Sequence, residues 1–270
     1  MSVMYGNPHS LKEGIETSRP VATVAVPPLS GRVTGSAPQR KPDWCYQTQA
    51  SCESPCNGPD LWSKVNAECG KNRQSPINIV TKKTKLDERL TPFKFTGYQT
   101  LFDSTMKNNG HSVKVSIPIT ATVSGGNLGE TYKAVSSSAN KKYDLFTQGL
   151  RSIQNTNGNT TLSKISLNQL ILSEANMTNY YRYDGSLTTP GCTEAVVWTV
   201  FENPIPLDGE QLQAFSNLKF SDGKQMVGTF RPVQPRNGRV VYRSSGVAVV
   251  ASAVLILVSI SAALGLSRMN

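Results

Sequence analysis

The chain has 270 residues, and a single globular domain with flanking tails is the natural organisation at that length. Its formal charge is +10, but part of the excess sits in flanking positions such as Arg32, Arg40 and Lys41. Scattered solubilising charge therefore accounts for it better than a basic recognition surface, and no nucleic-acid partner is expected.

The first 43 residues are rich in Ser, Pro and Gly and read as a disordered extension. Their best apolar run, Val21 to Leu29, is broken by Pro27 and Pro28, so a signal peptide is not evident. From Trp44 the composition becomes globular. Ser112 to Ile117 alternates with Val113, Val115 and Ile117 on one face, which predicts a half-buried strand that Ser124-Gly125-Gly126-Asn127 breaks. Tyr143 to Ile153 predicts a helix with Leu145, Phe146, Leu150 and Ile153 inward, ended by the Gly- and Asn-rich stretch Asn155 to Thr161. Ala195 to Phe201 predicts a central strand, with Pro204 beyond its end. Asp208 and Gln211 form a capping-box-like start to a helix carrying Leu212, Phe215 and Leu218 on one face. The picture is a β-rich α+β domain, 44–243, with a few surface helices.

Five cysteines stand at Cys45, Cys52, Cys56, Cys69 and Cys192. Four crowd into 25 residues and one lies far downstream, a layout that suits a short bridge and a long-range staple in an oxidising compartment; five reduced cysteines in a cytosolic core are the alternative. Sequons at Asn159 and Asn176 agree with an extracellular setting. Residues 247–266 carry no charge over 20 positions, enough for a helix to cross a bilayer. Two readings stay open for 244–270: a GPI-attachment signal cleaved near Ser244, Ser245 or Gly246, or a permanent transmembrane helix with Arg268 at the inner face.

Taken singly, the site-like stretches say little. His111, at a turn before a strand, could pass protons, and it could equally be an ordinary surface histidine. Thr188 and Thr189 could orient a small oxygen-bearing substrate, or simply form a turn. Together, Arg73-Gln74-Ser75-Pro76-Ile77-Asn78-Ile79, NNGHSV at 108–113, GGNLGETY at 125–132, YRYDGSLTTPGC at 181–192, VVWTVFENPI at 196–205 and the Arg231–Pro235 close resemble the α-carbonic anhydrases in order and spacing. The cysteine layout and apolar tail resemble the extracellular, GPI-anchored, type IV branch. That resemblance implies a mostly antiparallel, twisted central sheet with surface helices, a disulfide between Cys69 and Cys192, another between Cys45 and Cys56, and an unpaired Cys52. It implies hydration of carbon dioxide to bicarbonate at zinc. Three neutral imidazoles hold that ion and bring the pKa of its water to about 7, a value for which carbonic anhydrases are themselves the reference case. By the same resemblance His111 takes the proton-shuttle position and Thr188 the hydroxide-orienting one. Thr189 lies in the substrate site, with Leu187, Val196 and Trp198 as its apolar wall.

The chain departs from the family at the metal. The His-x-His pair should follow GGNLGETY, and Ser138 and Asn140 stand there instead. By that resemblance the third ligand has no counterpart, and about 60 residues, several strands' worth, are absent near 135–142. The chain owns two histidines, His9 and His111, so three imidazoles cannot be assembled. No zinc is expected to bind. The expectation is an inactive, incomplete form, as a skipped exon or faulty gene model would leave. A non-catalytic cell-surface binding domain is the alternative.

Overall fold

The computed structural model describes residues 23–26, 44–50, 56–117, 121–128, 132–133 and 143–246. The join near 135–142, the candidate free thiol Cys52 and the apolar run 247–266 lie outside them.

In chain order the elements are β1 (Thr23–Val26), the short helix α1 (Trp62–Val65), β2 (Lys85–Leu86), β3 (Phe93–Thr96), β4 (Phe102–Asn108), β5 (Val113–Val115), β6 (Thr122–Gly125), β7 (Tyr132–Lys133), α2 (Asp144–Ser152), β8 (Asn159–Ile165), β9 (Tyr180–Gly185), β10 (Val196–Phe201), α3 (Gly209–Ser216) and β11 (Tyr242–Arg243). The fold is α+β and β-rich. Among the described residues the strands fall into three sheets, ordered β1-β10-β9-β11-β2, β3-β6-β7 and β5-β4-β8. All pairings are antiparallel except β11 with β2.

Several expectations need correction. The leader, read as lacking structure, contributes β1 to the largest sheet. Ser124 and Gly125 belong to β6, and the turn sits at Gly126 and Asn127, both with positive φ. Asn159 to Thr161, read as loop, opens β8, where each residue pairs with β4. The two threonines favour a strand, and pairing with β4 offsets the poor strand preference of Asn159.

Both helices lie where expected, but neither buries the whole apolar set. In α2, Phe146, Gly149 and Leu150 form the buried stripe, and Ile153 continues it just beyond the helix. Leu145 lies one helical step off that stripe and is 44% exposed. In α3 the buried stripe is Gln211 and Ala214, leading on to Leu218, while Leu212 is 37% exposed. Gln211 earns its place by hydrogen bonds. Its backbone donates to Asp208 Oδ1 (2.8 Å), completing the predicted capping box, and its Nε2 donates to Asp144 Oδ1 (3.1 Å), tying α3 to the start of α2.

The main core gathers Trp62, Tyr46, Phe220, Leu150, Ile153 and Ile165, all essentially without solvent contact. A smaller cluster of Ile77, Tyr183 and Val241, with Trp198 and Val200 against it, packs where β9 and β10 meet the segment after Ser75. The bridges Cys45–Cys56 and Cys69–Cys192 are both formed. The second spans 123 positions and fixes the β9–β10 loop to the N-terminal half.

Candidate functional site

The loop between β9 and β10 carries most of the predicted site, and its shape is set by hydrogen bonds from distant motifs. Ser75 N donates to Ser186 Oγ (3.0 Å) and Ser186 N donates to Ser75 Oγ (3.1 Å). Gln74 Nε2 donates to the Cys192 carbonyl (3.3 Å) and to Glu194 Oε1 (2.8 Å), which also accepts from Arg73 N (2.6 Å). Burial opposes ionisation of Glu194, but these donors and the Arg73 charge outweigh it and hold the carboxyl below its ordinary range. Arg231 closes the network, donating to Gln74 Oε1 (2.6 Å), to the Ser75 carbonyl (3.2 Å) and to the Cys69 carbonyl (2.9 Å) over the face of Trp62. Thus RQSPINI, GSLTTPGC and the Arg231 segment, far apart in sequence, form one knot.

Within the loop, Leu187 N donates to the Thr193 carbonyl (3.1 Å) and Cys192 N to the Thr189 carbonyl (2.9 Å). Gly191 and Cys192 both have positive φ, 112° and 39°, so the turn is tight. Thr188 is buried, Thr189 half-buried and Leu187 is 40% exposed. The strand alternation of β10 puts Val196 and Trp198 on one face. Trp198 donates from Nε1 to the Ser186 carbonyl (3.0 Å) and lies parallel to Tyr183, 6.3 Å away. Leu187, Thr188 and Thr189 therefore enter from the loop that Trp198 braces.

His111 belongs to a different sheet. It follows β4 in a turn where Asn109 Oδ1 accepts from His111 N (3.0 Å) and Ser112 N (2.7 Å). Asn108, fully buried, donates to the carbonyls of Ile153, Gln154 and Lys219 and accepts from Gly110 N. Those two asparagines are the structural content of the NNGHSV motif, which sequence reading credited to the histidine alone. The imidazole stacks on Trp44 with centroids 4.3 Å apart. Both ring nitrogens are buried and, among the described residues, neither has a hydrogen-bond partner. Burial lowers its pKa below the ordinary value, against a weaker upward pull from Asp222. As placed, the His111 ring nitrogens do not face water.

Among the described residues no group of three His, Cys, Asp or Glu side chains is arranged to hold a metal ion. Asn159 and Asn176 are both exposed, accessible to a glycan. Ser244 is buried, and its Oγ donates to the Thr178 carbonyl (2.8 Å).

The family model for eukaryotic-type carbonic anhydrase matches residues 57–138 and 132–245. Carbonic anhydrase 4 of Rattus norvegicus is 33% identical over 263 residues, covering 74% of this chain and 84% of the relative. Carbonic anhydrase 4 of Oryctolagus cuniculus is 32% identical over 262 residues, with the same two shares. Carbonic anhydrase 12 of Homo sapiens is 27% identical over 253 residues, covering 70% of this chain and 71% of the relative.

Proposed function

This chain belongs to the eukaryotic-type carbonic anhydrase family, and from that membership we propose that it is an incomplete, membrane-anchored extracellular form. It keeps the frame of the family's site but lacks the metal centre and does not hydrate carbon dioxide. One observation carries this reading: the whole sequence holds two histidines, His9 and His111, where the family's zinc takes three.

Further support is independent of that count. The two matched stretches of the family model meet and overlap at 132–138. Of the 263 positions aligned with the rat relative, 74% of this 270-residue chain supplies only about 200, so about 60 positions of the relative stand opposite nothing here. A loss of that size beside the join is the size of several strands. The residues present also do not fit the ion. His9 lies outside the described residues, and His111 has its donor nitrogens buried at the Trp44 ring rather than turned toward a shared point. Without the ion, Thr188 has no hydroxide to orient, and no catalytic step is assigned to the chain.

Two disulfides and two exposed sequons support the extracellular placement. The uncharged run 247–266 supports membrane attachment, with a cleaved GPI signal favoured over a transmembrane helix by the small residues at 244–246. The test is elemental analysis of the purified full chain beside a stopped-flow CO2 hydration assay. Substoichiometric zinc with hydration at the buffer rate is expected. Stoichiometric zinc with catalysed hydration overturns the reading.

A further inference from the structure

We propose that the outer edge of β10 is a strand-addition site and that the leader segment Thr23–Val26 of the same chain is its occupant. The inference stands on the strand register and not on the loss of metal ligands, so either reading can fail without the other.

β1 runs antiparallel to β10 over four residues, from Thr23 opposite Val200 to Val26 opposite Val197. It closes one end of the five-stranded sheet, and the other edge of β10 is taken by β9. Residues 23–26 lie outside both stretches matched by the family model. The segment is nonetheless suited to its place. Val21 to Val26 is uncharged and largely β-branched, and Pro20 before it and Pro27-Pro28 after it limit any strand to about this length, because proline cannot donate to a ladder.

β10 needs such a cover. Its sequence VVWTVF carries no charge, and a bare edge of that composition is a template for pairing with another chain. Strand addition draws its affinity from main-chain hydrogen bonds, which a short leader can supply as well as a resident strand. Residues 27–43 tether β1 to Trp44, next to the Cys45–Cys56 bridge. A tether of that length holds the leader at an effective concentration on the order of millimolar, far above that of a second copy in dilute solution.

Hydrogen–deuterium exchange on the full chain tests the assignment. Successive residues of a strand turn their N–H groups to opposite sides, so prolines at both Val24 and Ala25 remove one donor facing β10 whatever the phase. In the V24P/A25P chain, residues 196–201 are expected to lose protection while residues 180–185 keep theirs. A synthetic peptide of residues 20–30 is expected to restore the loss, and a scrambled peptide is not. Unchanged exchange at 196–201 overturns the proposal, and so does a loss that the peptide fails to restore. A second arm leaves the backbone intact by placing cysteines at Thr23 and Val200, or at Val24 and Thr199. Because adjacent pairs alternate in spacing, one pair is expected to form an intrachain disulfide on mild oxidation. Closure of neither pair, or bridges formed only between two copies, overturns the intrachain assignment.

Discussion

Ser75 and Ser186 hold each other by two reciprocal hydrogen bonds, each backbone N–H donating to the other's hydroxyl at 3.0 and 3.1 Å, with both side chains fully buried. Tyr183 also donates to Ser75 Oγ (3.3 Å), and the Ser186 carbonyl accepts from Trp198 (3.0 Å). This pair is where the two most specific motifs of the sequence meet. Removing either hydroxyl strands a buried N–H, which costs about 1–3 kcal/mol. S75A and S186A are each expected to lower unfolding stability by that amount. The double variant is expected to lose less than their sum, because the residues share partners. Urea denaturation of the four chains reads the cycle.

The two disulfides are expected to contribute unequally. Chain entropy makes a bridge worth more as its loop lengthens, and the separations are 123 for Cys69–Cys192 and 11 for Cys45–Cys56. The difference corresponds to about 2 kcal/mol in the loop-entropy model. C69A/C192A is therefore expected to lower the urea midpoint more than C45A/C56A. It should also loosen the 187–193 loop, read as faster amide exchange there. Equal effects would show that the long bridge joins parts already held by the Gln74–Arg231 network.

Much of this arrangement was legible in the sequence, for identifiable reasons. The alternation and β-branched content of Val196–Phe201 mark β10, and the Asp208–Gln211 spacing marks the cap of α3. Both bridges follow from the family resemblance. What escaped was non-local. β8 opens on Asn159-Thr160-Thr161, where the Asn- and Gly-rich stretch before it hides the strand preference of the two threonines and β4 lies beside them. Leu145 and Leu212 look inward by hydrophobicity, yet the stripes are set by Phe146 and Gln211, and no hydropathy pattern foretells a buried glutamine bridging two helices. His111 drew attention as a titratable group, while the residues that shape its turn are Asn108 and Asn109. β1 escaped because β10, with which it pairs, lies about 170 residues downstream.

Acid is expected to weaken the fold through His111. Its pKa in the folded chain lies below the ordinary value near 6.5, because burial penalises the imidazolium. Below about pH 6.5 the unfolded chain takes up the proton and the folded chain resists it, so stability falls as pH falls and is regained above that value. H111F keeps an aromatic ring against Trp44 and removes the titration. The variant is expected to match the parent at pH 8 and to show a flatter decline of unfolding free energy between pH 7 and the folded-state pKa. Parallel curves for the two chains would assign the acid sensitivity in this window to groups other than His111; Glu194 is not among them, because its contribution is lost only at lower pH as its carboxylate protonates.

The end of the folded domain bears on how the chain is anchored. Ser244 is 6% exposed. Its hydroxyl donates to the Thr178 carbonyl and accepts from Tyr180 N, and its own N–H donates to the Tyr180 carbonyl, each near 3 Å. It thus continues the pairing of β11 with β9 by one residue, while Ser245 beside it is exposed. A lipid joined at Ser245 or Gly246 leaves every one of these bonds in place. S244A is accordingly expected to cost about 1–3 kcal/mol of stability by stranding the buried Tyr180 N–H, yet to leave surface attachment intact. A phosphatidylinositol-specific phospholipase is expected to release parent and S244A chains alike from intact cells. Release of the parent alone would show that anchoring depends on the Ser244 hydroxyl, and release of neither would favour a permanent transmembrane helix at 247–266.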